Sequence, residues 1–222
     1  MDKKSTKLYA PIFPLPTVNL FPETTASFHI FEPRYREMIR SVLEGDQLLA
    51  LGVLKPGYED DYYGTPEIYP VGCLGHVQSW EELENGTFNI VIEGLYRVGF
   101  GERIKDNPFQ VAELYSLPEK DITQTFSEER ENILMRLNYL AENSLEDADF
   151  SPLLAGDDSF ISMVNMVCRI LPMQNEERYH LLALDSIRDR ANKVLWHIDD
   201  QIETLELFKQ IDPKSTDVIS YN

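Results

Sequence analysis

Cysteine and long apolar runs are scarce in this sequence of 222 residues. The two cysteines, Cys73 and Cys168, lie far apart, so neither a disulfide framework nor a cysteine-based zinc site is expected. No stretch reaches the ~20 consecutive apolar residues of a transmembrane helix. The polar N-terminus has no apolar run of the kind found in secretory signals. We therefore predict a cytoplasmic protein with reduced cysteines.

Positive charge is also scarce. Lys and Arg number 20 against 38 Asp and Glu, which gives a formal net charge of −18. Nucleic acids and anionic membrane surfaces are bound largely through Lys and Arg, and here these residues form no stripe. The composition therefore argues against nucleic-acid and membrane partners. Apolar residues still make up 43% of the chain, which is enough for a packed core.

Motifs for catalysis are missing as well. The sequence has no phosphate-binding P-loop, no complete Gly-x-Gly-x-x-Gly and no Gly-x-Ser-x-Gly elbow. Its four histidines lack metal-binding spacing to one another or to glutamate. We therefore predict no catalytic residue, no cofactor, no metal site and no enzymatic activity. A site assembled only by the fold stays open as an alternative, because catalytic groups need not be neighbours in sequence.

The chain has two parts that differ in pattern. Residues 8–118 hold most of the prolines and glycines, with short alternating apolar runs between them, as is typical of strands and turns. One helix is predicted there, from Pro33 to Gly45. Residues 119–212 carry apolar residues at helical spacing and end in a helix of about six turns. We predict an α+β protein with a β-rich subdomain at 8–118, a helical bundle at 119–212 and a tail at 213–222.

Residues 57–66 form a predicted loop with an acidic and aromatic centre. Tyr58, Tyr62 and Tyr63 flank three consecutive acidic residues. These carboxylates lack the alternate spacing of a calcium loop, so we predict no metal site here. Tyrosine is enriched in protein interfaces, where it provides contact area at low entropic cost. The three tyrosines and Trp80 are therefore candidate contacts for a polypeptide, with ordinary packing as the alternative.

The N-terminal part resembles a known family. Residues 29–35 read His-Ile-Phe-Glu-Pro-Arg-Tyr and follow Leu-Phe-Pro at residues 20–22. This opening resembles the N-terminal, substrate-binding domain of Lon proteases. Residues 94–98, Gly-Leu-Tyr-Arg-Val, resemble the Gly-x-x-Arg-Phe strand of that family, and residues 171–190 resemble its helical part more weakly. Residues 85–87 depart from it, because they read Asn-Gly-Thr where the family commonly has Asp-Gly-Arg.

The resemblance implies a fold and a set of structural residues. The fold is a small PUA-like β-barrel with one helix, followed by a helical bundle. Mainly structural roles are implied for the signature residues His29, Phe31, Glu32, Pro33, Arg34 and Tyr35. Phe31 and Tyr35 are expected to pack inward, and Arg34 to pair with a carboxylate.

The resemblance also implies a function. We expect a non-catalytic module that captures polypeptide segments or a partner protein, without the ATPase and Ser-Lys proteolytic modules of a complete Lon protease. One alternative is a small ligand or an enzymatic reaction in the barrel cleft. Another is RNA binding by the PUA-like barrel, against which the negative charge argues. Homo-oligomerisation through the long helix is compatible with each of these functions.

Overall fold

The structure is a computed structural model that describes residues 7–18, 20–122, 125–143 and 159–211. The tail predicted at 213–222 lies outside the described residues. The first part of the chain contains β1 (Leu8–Leu15), β2 (Thr25–Ile30), α1 (Pro33–Glu44), β3 (Leu48–Val53), β4 (Val71–Glu82), β5 (Phe88–Lys105) and β6 (Val111–Ser116). The second part contains α2 (Ser127–Asn143), α3 (Phe160–Ile170), α4 (Asn175–Ala183) and α5 (Ile187–Ile211). A short 3-10 helix spans Tyr58–Asp61. The predicted α+β class is confirmed.

The six strands form one sheet in the order β2-β5-β4-β3-β1-β6, and β5 also pairs with β6. The sheet therefore closes on itself into a ring. The length of β5 makes the closure possible, because its first half pairs with β2 and its second half with β6. All pairings are antiparallel except β1 with β3. Strand β5 continues through Gly94 without a break.

The core inside the ring is formed by apolar residues that alternate with polar ones along β5. Phe88, Ile90 and Ile92 are each at most 2% exposed and lie on one face of β5. Helix α1 closes over this core with a buried stripe at Tyr35, Met38, Ile39 and Val42, as the helical spacing predicts. Pro33 stands at the start of α1 and Gly45 directly after its end, as predicted.

The turn between β4 and β5 follows from residues 85–87. Gly86 has a φ of 74°, a left-handed conformation that glycine adopts without steric cost. The Asn85 Oδ1 atom accepts hydrogen bonds from the Thr87 backbone N–H and from the Thr87 hydroxyl, at 3.0 and 2.7 Å. The asparagine side chain therefore fixes the turn that the Asn-Gly pair predicts.

The helices α2, α3 and α5 pack through the predicted apolar stripes. Ile133 and Leu137 of α2, Val164 of α3 and Val194 and Ile198 of α5 are all fully buried. The stripe of α5 is buried only along its first half, and Phe208 near its end is 65% exposed. Both cysteines, Cys73 and Cys168, are buried.

The chain forms two compact units. One contains the sheet, α1 and the segment Gln174–Asp185 with α4, and the other contains α2, α3 and α5. The first segment of the sheet unit ends at Lys120, and α4 belongs to this unit although it lies among helices in sequence. The boundary between residues 118 and 119 stays a prediction from composition, which carries no information on long-range packing.

Candidate functional site

The signature at residues 29–35 joins β2 to α1. His29 and Ile30 end the strand, and Pro33 begins the helix. Glu32 precedes the helix with an extended backbone, and its carbonyl accepts hydrogen bonds from the backbone N–H groups of Tyr35 and Arg36, at 3.0 and 2.9 Å. Proline fits this place because the first N–H of a helix has no partner within the helix. The predicted helix-starting role of Pro33 thus matches the geometry.

Glu32 and Arg34 connect the signature at residues 29–35 to the loop at residues 57–66, which we call the tyrosine loop. The Arg34 Nε atom donates to Glu32 Oε2 at 3.2 Å, which provides the carboxylate partner expected for Arg34. The Tyr62 hydroxyl donates to Glu32 Oε1 at 2.6 Å. The Arg34 guanidinium also lies over the rings of Tyr35, Tyr62 and Tyr63, at 4.5, 4.9 and 5.7 Å from their centroids. The two segments therefore form one cluster.

Burial shifts the acid–base chemistry of this cluster. Desolvation raises the pKa of Tyr62. The Glu32 carboxylate, which accepts the hydrogen bond from the Tyr62 hydroxyl, raises this pKa further. Desolvation also raises the pKa of Tyr35 strongly, while the Arg34 guanidinium opposes that rise. Both shifts favour the protonated form of the Tyr62 and Tyr35 hydroxyls.

Phe31 does not pack inward, and that expectation is wrong. Its side chain is 64% exposed, and its ring stacks on His29 with centroids 6.3 Å apart. The preceding residue, Ile30, is buried. Successive side chains of an extended backbone point to opposite sides, so a buried Ile30 directs Phe31 outward. Tyr35 is buried, as expected.

The tyrosine loop presents one of its three candidate residues fully to solvent. Tyr63 is 86% exposed, whereas Tyr58 and Tyr62 are half-buried. The rings of Tyr58 and Tyr62 lie 6.2 Å apart, and those of Tyr62 and Tyr63 lie 5.2 Å apart. The Asp61 side chain accepts from the Thr65 N–H within the loop. Among the described residues, no group of acidic, histidine or cysteine side chains is arranged to hold a metal ion.

Trp80 lies in a separate groove across β2, β5 and β4. The groove has a volume of about 490 Å3 and is lined by residues that include Ser27, His29, Trp80, Glu81 and Asn89. Trp80 is 48% exposed. The His29 Nδ1 atom is hydrogen-bonded to Asn89 Oδ1 at 2.8 Å, and this contact fixes the imidazole in the groove. The groove lining thus includes both Trp80 and His29, while the tyrosines gather around Glu32 and Arg34.

Arg97 is a buried residue for which the sequence pattern predicts no role. It is fully buried on β5, and its guanidinium donates to Glu119 Oε1 at 2.9 Å and to Asp185 Oδ1 at 3.2 Å. It also reaches the backbone carbonyls of Leu182 and Ala183 at 3.4 Å. Arg97 therefore fastens the segment after α4 to the sheet. Its place in the Gly-Leu-Tyr-Arg-Val motif was the available signal, but burial of an arginine is not visible in a pattern.

Residues 9–200 match the family model of the ATP-dependent protease La (LON) substrate-binding domain. The chain belongs to the Lon substrate-binding domain family. The resemblance drawn from the signature residues is confirmed. Curated relatives include the Lon protease of Desulfosudis oleivorans, 23% identical over 206 residues that cover 90% of this chain and 25% of that protein. Lon protease 1 of Bacillus subtilis is 21% identical over 203 residues, 90% of this chain and 26% of that protein.

Solved structures agree on the fold. A Lon N-terminal domain protein from Xanthomonas campestris has a TM-score of 0.64 and 20% identity, over 85% of this chain and 97% of that one. The N-terminal domain of a Mycobacterium avium complex Lon protease has a TM-score of 0.68 and 12% identity, over 87% and 99%. This Lon substrate-binding domain spans about a quarter of the curated Lon proteases that it matches. Within its described residues, no helix combines the length and apolarity needed to cross a bilayer.

Proposed function

We propose that this chain is a non-catalytic recognition module that binds exposed apolar segments of polypeptides. We further propose that Phe31 and Trp80 are the main contacts. The proposal rests on the arrangement around His29: His29 and Trp80 both line the groove, and Phe31 stacks on His29. Phe31 thus adjoins the groove through His29, and Trp80 is part of the groove lining. Aromatic residues dominate the binding energy of many protein interfaces.

Three further observations support this proposal. The family is described as the substrate-binding domain of Lon proteases, and polypeptides are what proteases act on. Tyr63 is 86% exposed and lies near Arg34, three residues after Phe31 in the chain, so it offers a further aromatic contact. Four of the nine lining residues of the groove are apolar or aromatic and five are polar, so the groove can contact apolar side chains and polar backbone groups of one bound segment.

The test is fluorescence anisotropy with a labelled globular protein, offered once folded and once permanently unfolded by reduction and carboxymethylation. We expect binding of the unfolded form alone, with weak salt dependence because apolar contacts are not screened by ions. Phe31→Ala and Trp80→Ala should each weaken binding about tenfold, the loss typical of an aromatic anchor.

Matched controls lie on α5. Phe208 and Trp196 are 65% and 58% exposed, close to the exposures of Phe31 and Trp80. Phe208→Ala and Trp196→Ala should leave the affinity unchanged. Equal losses in the control variants would contradict the assignment of the surface. No binding of the unfolded protein would contradict polypeptide capture and would leave a small ligand of the groove as the alternative.

A further inference from the structure

Strand β2 is an edge of the sheet. Within the part of the chain that the structure describes, Thr25–Ile30 pairs with β5 and with no other strand. The other strands of the ring each have a neighbour on both sides. Thr25, Ser27 and His29 are exposed. The second backbone edge of β2 is therefore not paired with any other described strand.

The backbone groups at this edge can be assigned from the ladder. The Gly94 N–H donates to the Thr24 carbonyl at 2.8 Å, and the register then pairs Ala26 with Ile92 and Phe28 with Ile90. In an antiparallel ladder, residues that bond to the neighbour alternate with residues that do not. The even-numbered residues of β2 thus bond to β5. The N–H and C=O groups of residues 25, 27 and 29 point to the free edge.

This edge lacks the features that protect most exposed strands. Natural edges are shielded by charged side chains, by proline or by bulges. Residues 25–30 read Thr-Ala-Ser-Phe-His-Ile, without proline or a formally charged residue. Their pairing with β5 runs through all six residues without a register shift. An unshielded, regular edge offers a row of donors and acceptors whose complement is the backbone of another extended chain.

We propose that β2 is the docking edge on which an extended segment of a bound polypeptide adds as a further strand. The inference rests on the proposed polypeptide binding and specifies its mode. Backbone pairing tolerates many sequences, whereas the side chains along the edge select among them. Ser27 and His29 of the same strand line the Trp80 groove, and Phe31 follows its end. A segment paired along β2 would therefore lie beside the groove and close to Phe31.

Amide hydrogen exchange by NMR tests this mode of binding directly. The exchange of Ser27 and His29 should slow at least about tenfold when the reduced, carboxymethylated protein is bound, because their N–H groups become hydrogen-bonded. The amides of Ala26 and Phe28 bond to β5 with or without ligand, and they are the internal control. Binding without slower exchange at Ser27 and His29 would overturn the proposal.

Ser27→Pro provides an independent test. Proline removes the edge N–H of residue 27 without removing a bond to β5, and proline is tolerated on edge strands for that reason. We expect Ser27→Pro to bind about tenfold more weakly than Ser27→Ala, which loses the same hydroxyl but keeps the N–H and is therefore the reference. Thermal unfolding checks that the variant folds. Should Ser27→Pro not fold, Thr25→Pro replaces it with the same expectation relative to Thr25→Ala, because the Thr25 N–H also points to the free edge and Thr25 does not line the groove.

The outcomes separate the two proposals. Wild-type affinity in the edge variants, together with weak binding by Trp80→Ala, would refute strand addition and leave polypeptide capture intact. No binding by the wild type would refute both. Protection of Ser27 and His29 that grows with protein concentration in the absence of ligand would show that a second copy occupies the edge, and would also refute the proposal.

Discussion

The Tyr62 hydroxyl donates a 2.6 Å hydrogen bond to Oε1 of Glu32, the residue directly before α1. Glu32 belongs to the family signature, whereas Tyr62 belongs to the tyrosine loop. The contact joins two segments that are 30 residues apart in the chain. Its consequence is that the loop is held against the start of α1, next to the exposed Phe31. The position of Tyr63 on the surface therefore depends on this bond.

Replacing Tyr62 with phenylalanine tests the bond. Tyr62→Phe should lower the free energy of unfolding by about 1–2 kcal/mol, because a hydrogen bond to a charged group is lost and the Glu32 carboxylate is left half-buried. Limited proteolysis should then cleave the loop at residues 57–66 faster than in the wild type. Tyr58→Phe is the control, since within the described residues the Tyr58 hydroxyl makes no hydrogen bond. Equal effects of both changes would show that the bond does not hold the loop.

Arg97 should be among the most sensitive positions of the sheet unit. Arg97→Met leaves the Glu119 carboxylate and two backbone carbonyls without their buried donor, and we expect a loss of about 3 kcal/mol. Urea unfolding followed by circular dichroism measures it. The control is Arg40→Met at the exposed Arg40–Glu82 pair, where the loss should stay below about 1 kcal/mol. Similar losses at both sites would contradict the role of Arg97 as the fastening point of the segment after α4.

Alkaline stability should depend on Tyr35. Burial raises its pKa in the folded state, so the unfolded chain releases this proton near pH ~10 while the folded chain still holds it. Bound protons are then fewer in the unfolded state, and the free energy of unfolding falls as the pH rises above ~10. The contribution is fully present below that pH.

Tyr35→Phe removes this group and should make the alkaline loss of stability less steep. At pH 7 the same change should cost at most about 1 kcal/mol, because the Tyr35 hydroxyl is buried without a hydrogen bond of normal geometry. Chemical unfolding at pH 7 and at several values above 9 measures both effects, and the neutral value serves as the reference. An unchanged alkaline slope would show that burial of Tyr35 does not govern this range.

Much of the architecture could be predicted because it rests on local chemistry. Alternation at Phe88, Ile90 and Ile92 fixes which face of β5 is buried, and Asn85-Gly86 fixes the turn before it. Helical spacing likewise predicts the stripes of α1 and α3. The signature at residues 29–35 identifies the family, since it keeps the residue types that a strand-to-helix junction requires.

The sequence by itself thus determined the elements, their buried faces, the family and the absence of recognised catalytic motifs. Only the tertiary structure decided that Phe31 faces outward, that Arg97 is buried, that α4 joins the sheet unit and that β2 has a free edge. The physical reason is the range of the interactions involved. Alternation and turn preference act between near neighbours, whereas the partners of Arg97, Tyr62 and β2 are set by segments that meet only when the chain has folded.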